Sequence, residues 1–274
     1  MKSKYFTDFI QAHVEKSDPH KFSINKVATR ELVLSAGLKM PKQLFKVSSI
    51  DDVDFGALPD PVVIKLTNLS SKAGIFFLYK VNGGYFEYLS KRLVTVEEIR
   101  NEVLSLSGGK PSPVLAEEVI VGENGKLKIL FDYKIYTFNN RPEFVLQIDR
   151  NRVIDEIAFF DGGFSPIEDE RVVAPTKAAK LGRPVKPKNH EDMLSVASAA
   201  AKKLDRPFIS VDVYTTGEEV FVGELTPTPG GPYFGKILKF SEGFDLYLGE
   251  LMTDGYRKRG WEIPEIAMAP PSRR

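Results

Sequence analysis

The sequence predicts an α+β fold with at least two sheets of antiparallel strands. Along the chain, helices separate groups of several β-rich runs, an order typical of α+β proteins. Within a group, tight-turn sequences such as Asn82-Gly83-Gly84 and Asn139-Asn140-Arg141-Pro142 separate the runs, and turns of this kind join antiparallel strands. No internal repeat or low-complexity tract is present.

The helices are predicted from apolar periodicity and capping residues. Ser23 or Asn25 caps the second helix, which ends at Gly37, and Thr95 caps the third. The predicted ranges are 4–16, 25–36, 95–105, 191–204 and 242–252, with a short helical turn at 51–55.

The strands are predicted from β-branched and aromatic runs that end at turn residues. Asn124-Gly125 predicts a tight hairpin between strands at 114–121 and 127–138. Residues 162–190 are rich in Gly, Pro and charge, which predicts a long mobile segment. The other predicted strands are 61–66, 75–79, 85–89, 143–148 and the two arms of a hairpin over 208–226.

The composition of the 274 residues excludes several kinds of site. The formal net charge of +1 argues against nucleic acid or an anionic membrane as the main partner. The absence of cysteine excludes disulfides and thiolate chemistry, and the three histidines have no metal-ligand spacing. No signal-peptide core and no run of eighteen apolar residues is present, so we expect a cytoplasmic protein without a membrane span.

The most informative feature is a pair of carboxylates in the hairpin over 208–226. Asp212 and Glu224 stand near the ends of two runs that a turn containing Gly217 joins, so the paired strands bring them close together. Two buried carboxylates side by side are costly unless a cation neutralises them. Oxygen ligands on strands suit Mg²⁺ held together with nucleotide phosphates.

Lys65 is the second candidate, because it ends an otherwise apolar strand beside a loop with Ser70, Ser71, Lys72 and Gly74. A phosphate would stabilise such a lysine, and the loop offers backbone amides, hydroxyls and a second cation. The alternative is a lysine whose amine reaches solvent at the strand end. The loop does not contain the Walker A motif.

Two acidic segments complete the candidates. In residues 117–123 the backbone could bind an adenine edge and Glu123 a ribose, although acidic pairs at strand ends are usually solvated. Asp132 and Lys134 share one strand face, and Arg150 follows one hairpin later, so the three could project into one cavity. The alternative is an ion pair on a solvated face, which contributes little stability.

Four stretches together resemble the ATP-grasp superfamily, in its TupA-like branch named for teichuronopeptide biosynthesis. Their order and combination are more specific than any one of them. They are Asn25-Lys26 with Arg30-Glu31 and Gly37, Leu58-Pro59 through Lys65 with Asn68 and Ser70, Glu117-Glu118 through Asp132-Tyr133-Lys134, and Lys186-Pro187 with Val211-Asp212-Val213-Tyr214 and Gly223-Glu224-Leu225-Thr226.

The resemblance implies a fold of two α+β lobes whose antiparallel sheets clasp ATP, with a shortened N-terminal lobe. The implied division is 1–60 for the helical lead-in, 61–116 for the small subdomain, 117–258 for the large subdomain and 259–274 for a tail. The implied ATP-binding residues are Arg30, Lys65, Asn68, Ser70, Ser71, Lys72, Gly74, Glu117, Glu118, Val119, Glu123 and Lys134. The implied metal ligands are Asp212, Glu224 and Thr226, and the implied cofactors are ATP and Mg²⁺.

Three departures from the family pattern bear on the chemistry. Ser210 replaces the arginine that usually precedes the metal aspartate by two positions, and Arg150 or Lys134 is the candidate catalytic cation in its place. The lid reads Asn68-Leu-Ser-Ser-Lys72, which should be less flexible than a glycine-rich lid. Thr226 replaces an asparagine ligand, so one metal or a water-bridged second metal becomes possible.

The resemblance implies an ATP-dependent ligase that joins a carboxylate to an amine through an acyl phosphate. A kinase on the same fold is the first alternative, and Ser210 favours it slightly. A nucleotide-binding scaffold without turnover is the second. The short N-terminal segment makes a homodimer a further possibility, and the identity of the carboxylate and amine is not encoded in any recognisable motif.

Overall fold

The computed structural model describes residue 2 and residues 4–67, 69, 74–122, 129–152, 154–174, 179–229 and 237–265. The described part contains two six-stranded sheets and one two-stranded sheet. Its helices are α1 Phe6–Val14, α2 Lys26–Ser35, α3 Val96–Leu106, α4 His190–Leu204 and α5 Glu242–Lys258, with a 3-10 turn at Ile50–Asp52. Its strands are β1 Gln43–Val47, β2 Val62–Leu66, β3 Ile75–Val81, β4 Gly84–Glu87, β5 Arg92–Val94, β6 Val114–Glu118, β7 Asp132–Phe138, β8 Arg141–Asp149, β9 Asp155–Asp161, β10 Val172–Val173, β11 Ala179–Leu181, β12 Phe208–Thr215, β13 Val220–Thr226 and β14 Lys239–Phe240.

The first sheet has the order β1-β6-β2-β3-β4-β5, and every pair in it is antiparallel. Its side chains alternate between two environments, as strand geometry requires. Ile64 and Ala116 point into a core that also contains Ile99 of α3. Lys65 and Glu117, one position along each strand, point to the opposite face, which is the wall of a cleft.

The second sheet has the order β11-β9-β8-β7-β12-β13 and is antiparallel except for the β11–β9 pair. One face packs on α4 through residues such as Ile135 and Val211. The other face packs on α1 and α5 at one end, where Tyr136 and Phe208 meet Phe6. At the other end of that face the side chains of β7 and β12 line the cleft.

Capping side chains fix where two of the helices begin. Asn25 accepts hydrogen bonds from the amides of Val27 and Ala28 at 3.0 and 2.9 Å, which starts α2. The Thr95 hydroxyl accepts from the Glu98 amide at 3.2 Å, and the Glu98 carboxylate accepts from the Thr95 amide at 2.7 Å, which starts α3. Both starts agree with the sequence prediction. Among the described helices, none is long and apolar enough to cross a membrane.

Several sequence predictions are wrong in detail. The predicted hairpin between 114–121 and 127–138 does not form, because β6 pairs with β1 and β2 of the first sheet and β7 pairs with β8 and β12 of the second. The segment 162–190 contains the short strands β10 and β11. The last helix is longer than predicted, and β1, β5 and β9 were not predicted at all.

Candidate functional site

A cleft separates the inner faces of the two six-stranded sheets, and the start of α2 closes one side of it. Charged groups from both sheets and from α2 face one another across the cleft, while apolar side chains such as Val63 and Phe77 cover the first sheet beside them. The predicted site residues that line it are Arg30, Lys65, Glu117, Glu118, Val119, Lys134, Arg150, Asp212 and Glu224.

Asp212 and Glu224 are direct cross-strand neighbours on β12 and β13, as the sequence predicted. Residues directly opposite on adjacent antiparallel strands project to the same side of the sheet. The register shifts immediately after this pair, between Asp212 and Val213, which leaves Gly223 without a partner opposite it. A Cβ at Gly223 would lie 2.4 Å from the ring of Tyr214, so glycine is needed for that ring to lie against the strand.

The Asp212 carboxylate is buried, with 3% of the residue exposed. The Lys134 ammonium contacts one of its oxygens, and Ser210 Oγ donates to the other at 3.3 Å. Burial raises the pKa of Asp212 to about 7; Lys134 opposes this rise, and the nearby carboxylates Asp132 and Glu224 add to it. The protein therefore leaves this carboxylate incompletely stabilised in its ionised form.

Lys134 belongs to a chain of buried ion pairs along the floor of the cleft. Its ammonium lies 3.3 Å from Asp132 Oδ2, and Arg150 contacts the same oxygen at 2.9 Å. Arg150 also reaches Asp155 at 3.0 Å. Burial raises the pKa of Asp132, but the charges of Lys134 and Arg150 outweigh it, so that the pKa lies below its usual value. Both predicted catalytic cations thus lie in the same cleft as the carboxylate pair Asp212–Glu224, with Lys134 in contact with Asp212.

The opposite wall carries the cations predicted for phosphate binding. One buried carboxylate, Glu117, holds both: Lys65 contacts its Oε2 and Arg30 contacts its Oε1. Arg30 also donates to the carbonyl of Pro41 at 2.8 Å. The side chain of Glu117 therefore acts as the anchor of two cations. Since the Glu117 side chain is engaged with these cations, the predicted contact of residues 117–123 with adenine would come from their backbone.

Lys26 is a cleft residue that the sequence analysis did not single out. It stands at the start of α2, lines the cleft, and its ammonium contacts the carbonyl of Leu69. Burial lowers the pKa of Lys26; the charges of Glu224 and Glu117 oppose this change, and that of Lys65 adds to it. Lys26 stood inside the first quoted family stretch, beside Asn25, and its position one turn before Arg30 on the same helix was the signal that could have identified it.

The remaining predicted residues differ in their positions. Thr226 faces the same side of β13 as Glu224 and is opposite Ser210, but it does not line the cleft. Glu118 is exposed and pairs with Lys42 at 3.1 Å. Gly74 has a φ of +71° and accepts a hydrogen bond from the Leu66 amide. Asn68, Ser70, Ser71, Lys72 and Glu123 lie outside the described residues.

The donor set fits a hard divalent cation that is shared with a nucleotide. Asp212 and Glu224 offer carboxylate oxygens side by side, and Asp132 Oδ1 is buried without a hydrogen-bond partner in the described part of the chain. No group of three or more acidic, histidine or cysteine side chains among the described residues forms a complete metal site. Mg²⁺ commonly uses one or two carboxylates and takes its other ligands from phosphate and water, so two carboxylates are sufficient.

Comparison with known proteins gives a consistent result. The model of the TupA-like ATP-grasp family matches residues 14–253. Of solved structures, a D-alanine–D-alanine ligase from Bacillus anthracis is 16% identical, with a TM-score of 0.52, over 86% of this chain and 68% of the ligase. The ATP-grasp ligase PsnB in complex with a minimal precursor is 14% identical, with a TM-score of 0.46, over 84% of this chain and 59% of PsnB. No curated protein gave a match.

Proposed function

The chain belongs to the TupA-like ATP-grasp family, and on that premise we propose that it is an ATP-dependent ligase that joins a small carboxylate substrate to an amine. The observation that carries this proposal is the cross-strand pair Asp212–Glu224, which lies in a cleft that the cations Lys26, Arg30 and Lys65 also line. Carboxylates for Mg²⁺ and cations for phosphates are the two requirements of phosphoryl transfer.

The first sheet and α2 bind the nucleotide in this proposal. Lys65, Arg30 and Lys26 hold the phosphates, and Glu117 keeps the first two in place before the nucleotide arrives. The adenine lies against the apolar wall that contains Val63 and Phe77, near the backbone at Val119. Groups that are already positioned need little reorganisation, and orientation of this kind contributes up to about 7–11 kcal/mol to catalysis.

The second sheet carries the chemistry. Asp212 and Glu224 would hold Mg²⁺, which when bound neutralises charge on the nucleotide phosphates. Lys134, in contact with Asp212, supplies positive charge beside the transferred group. Arg150 is held between Asp132 and Asp155, so it fixes Asp132 and through it the position of Lys134.

The proposed reaction has two steps and needs no side-chain nucleophile. A carboxylate oxygen of the substrate forms a bond to the γ-phosphorus of ATP as the bond to the bridging oxygen breaks, which gives an acyl phosphate and ADP. The amine then attacks the acyl carbon, phosphate leaves, and the amine loses a proton to form the amide. The absence of cysteine is compatible with this route.

A kinase is the second candidate, because Ser210 occupies the position of the usual arginine. Ser210 is fully buried and its hydroxyl points to Asp212. If Lys134 does not compensate for that missing charge, the reaction that stops at a phosphorylated acceptor is favoured over the reaction that goes on to form an amide.

The test is phosphate release with Mg²⁺ and ATP against a panel of carboxylates and amines, supplied singly and in pairs. Release that requires both a carboxylate and an amine, with an amide detected by mass spectrometry, supports the ligase. A stable phosphorylated product with one acceptor alone supports the kinase. Nucleotide binding without turnover over the whole panel supports the scaffold and contradicts both enzymes.

The matched control uses two glutamates of the same hairpin. Glu224→Gln removes one carboxylate of the proposed metal pair. Glu219→Gln removes an exposed carboxylate beside the turn, which pairs with Lys39 at 2.5 Å. Turnover should disappear in the first variant and persist in the second.

A further inference from the structure

A second cavity lies on the side of the second sheet that packs on α1 and α5. Two aromatic rings, a histidine, an arginine and two prolines form much of its lining: Phe22, Trp261, His20, Arg206, Pro207 and Pro227. His20 stacks on Trp261 with 4.3 Å between ring centroids and 8° between ring planes. Both side chains are half-buried, so the stacked rings form one side of the cavity and remain in contact with solvent.

Arg206 is held in this cavity by rings instead of by acids. Its guanidinium carbon lies 4.3 Å from the ring centroid of Phe22 and 5.2 Å from that of Trp261. In the described part of the chain, its guanidinium has neither an ion-pair partner nor a hydrogen-bond acceptor. Ring contacts stabilise the charge but use none of the five N–H donors in the way an oxygen acceptor does.

The nearby carboxylates are already committed to other donors. Asp205, the chain neighbour of Arg206, pairs with Arg259 at 2.6 Å. Asp18 lines the same cavity, but its Oδ1 accepts from the His20 amide at 2.8 Å and its Oδ2 from the Tyr256 hydroxyl at 2.6 Å. Among the described residues no carboxylate forms an ion pair with Arg206, which leaves its positive charge available to a bound anion.

We propose that Arg206, fixed against Phe22 and Trp261, binds a carboxylate or phosphate group of a small molecule at a site separate from the nucleotide cleft. A planar guanidinium with free N–H donors recognises such anions with two parallel hydrogen bonds. The aromatic contacts fix the side chain in advance, which reduces the entropy cost of binding.

An extended substrate could reach both this site and the metal pair. Arg206 stands six residues before Asp212, just ahead of β12, and the rise along an extended strand puts them about 20 Å apart. The anion can therefore be the far end of an extended acceptor, an assignment that rests on the proposed function. It can also be a separate small molecule, an assignment that does not depend on that function.

The single tryptophan of the chain makes the site directly observable. Trp261 is the only tryptophan and lies in contact with Arg206, so its fluorescence reports on this cavity. The experiment titrates the full-length protein with sodium glutarate and with inorganic phosphate at pH 8, at constant ionic strength maintained with sodium chloride. We expect a saturable change in tryptophan emission, with half-saturation unchanged by a saturating magnesium complex of a non-hydrolysable ATP analogue.

Three variants test the assignment. Arg206→Met keeps a long side chain between the rings but removes the donors, so binding should weaken about tenfold or more. Arg206→Lys keeps the charge without the planar donors and should bind with intermediate affinity; it also carries the test if the methionine variant does not fold. Arg257→Gln removes an exposed charge at the end of α5 and should bind as the wild type does.

Other results would overturn the proposal. They are no saturable change in the wild type, equal binding in Arg206→Met, or loss of the signal when the nucleotide analogue is bound. This assay needs no turnover, so it stands even if the ligase proposal fails. Where turnover is found, a raised acceptor KM in Arg206→Met assigns the site to the acceptor, and an unchanged KM with lost anion binding assigns it to a separate molecule.

Discussion

Asp18 and Asp212 expose nearly the same small fraction of their surface, 4% and 3%, yet the pKa values of their carboxylates are shifted in opposite directions. Burial raises the pKa of Asp18, but hydrogen bonds from His13, Tyr256 and the His20 amide outweigh it and hold the pKa below its usual value. Burial raises the pKa of Asp212 to about 7, and the single ammonium of Lys134 does not reverse the shift. Asp212 is enclosed more deeply by protein atoms, accepts from fewer donors and faces two further carboxylates, and these three differences separate the two sites.

The comparison distinguishes a completed polar network from an incomplete one. Around Asp18, α1, the segment after it and α5 supply every partner, so the network joins the two ends of the chain. Around Asp212, two further carboxylates face the same space and Asp132 Oδ1 lacks a partner among the described residues. A site that the fold leaves incomplete is the place to look for a ligand.

The largest expected effect is the loss of turnover in Asp212→Asn. The variant removes the charge of a proposed metal ligand, so kcat should fall about 100-fold or more, as for other weakened metal sites. The free energy of unfolding should stay within about 1 kcal/mol of the wild type or rise, because a like charge is removed from a crowded site. Steady-state kinetics and urea unfolding measure the two quantities. A variant with near-normal kcat but much reduced stability would show that Asp212 is structural.

Lys65→Met tests the cations of the opposite wall. Removing one phosphate contact should weaken binding of an ATP analogue roughly 10-fold to 100-fold, the range of a charged hydrogen bond. The fold should tolerate the change, because Arg30 still pairs with Glu117. Calorimetric titration gives the affinity, and Lys46→Met, an exposed position on β1, is the control. Unchanged affinity with a clear loss of thermal stability would assign Lys65 to the scaffold.

The sequence was sufficient to predict that the two carboxylates are neighbours, because a hairpin carries its own register. The turn at Gly217 and the alternation of the two runs were enough to predict that Asp212 and Glu224 meet. The same local logic failed at Asn124-Gly125. A turn signal cannot tell whether its flanking strands pair with each other or with distant strands, and here β6 and β7 belong to different sheets.

Long-range partners explain the other omissions. Asp18 and Tyr256 are 238 residues apart, so nothing local in the sequence predicts their hydrogen bond. Lys26 is one of many lysines and is distinguished only by the burial and charges around it. Arg206 is likewise identified only by the rings that contact it.

Asp18→Asn tests the completed network. An amide keeps the shape but loses charged acceptors for three donors, so the free energy of unfolding at pH 7 should fall by about 1–3 kcal/mol. The folded pKa lies below the unfolded one, so this contribution is present above the unfolded value, about 4, and disappears as the pH falls further. The difference between wild type and variant in urea unfolding should therefore shrink below about pH 4. An exposed control, Asp254→Asn on α5, should show no such convergence, and a constant difference down to pH 2 would contradict the assignment.

The smallest expected effect separates a helix of the cleft from a helix of the scaffold. Asn25→Ala and Thr95→Ala each remove a cap, and each should lower the free energy of unfolding by about 1 kcal/mol. Only α2 carries Lys26 and Arg30 into the cleft. In Asn25→Ala the first turn of α2 should fray and weaken nucleotide affinity about twofold to fivefold. This loss corresponds to only a part of the free energy that the cap contributes to folding. Thr95→Ala should leave the affinity unchanged, because α3 packs against the opposite face of the first sheet. Equal affinities in the two variants would mean that the position of Lys26 does not depend on the cap, and that the contacts of α2 with the rest of the fold are enough to hold it.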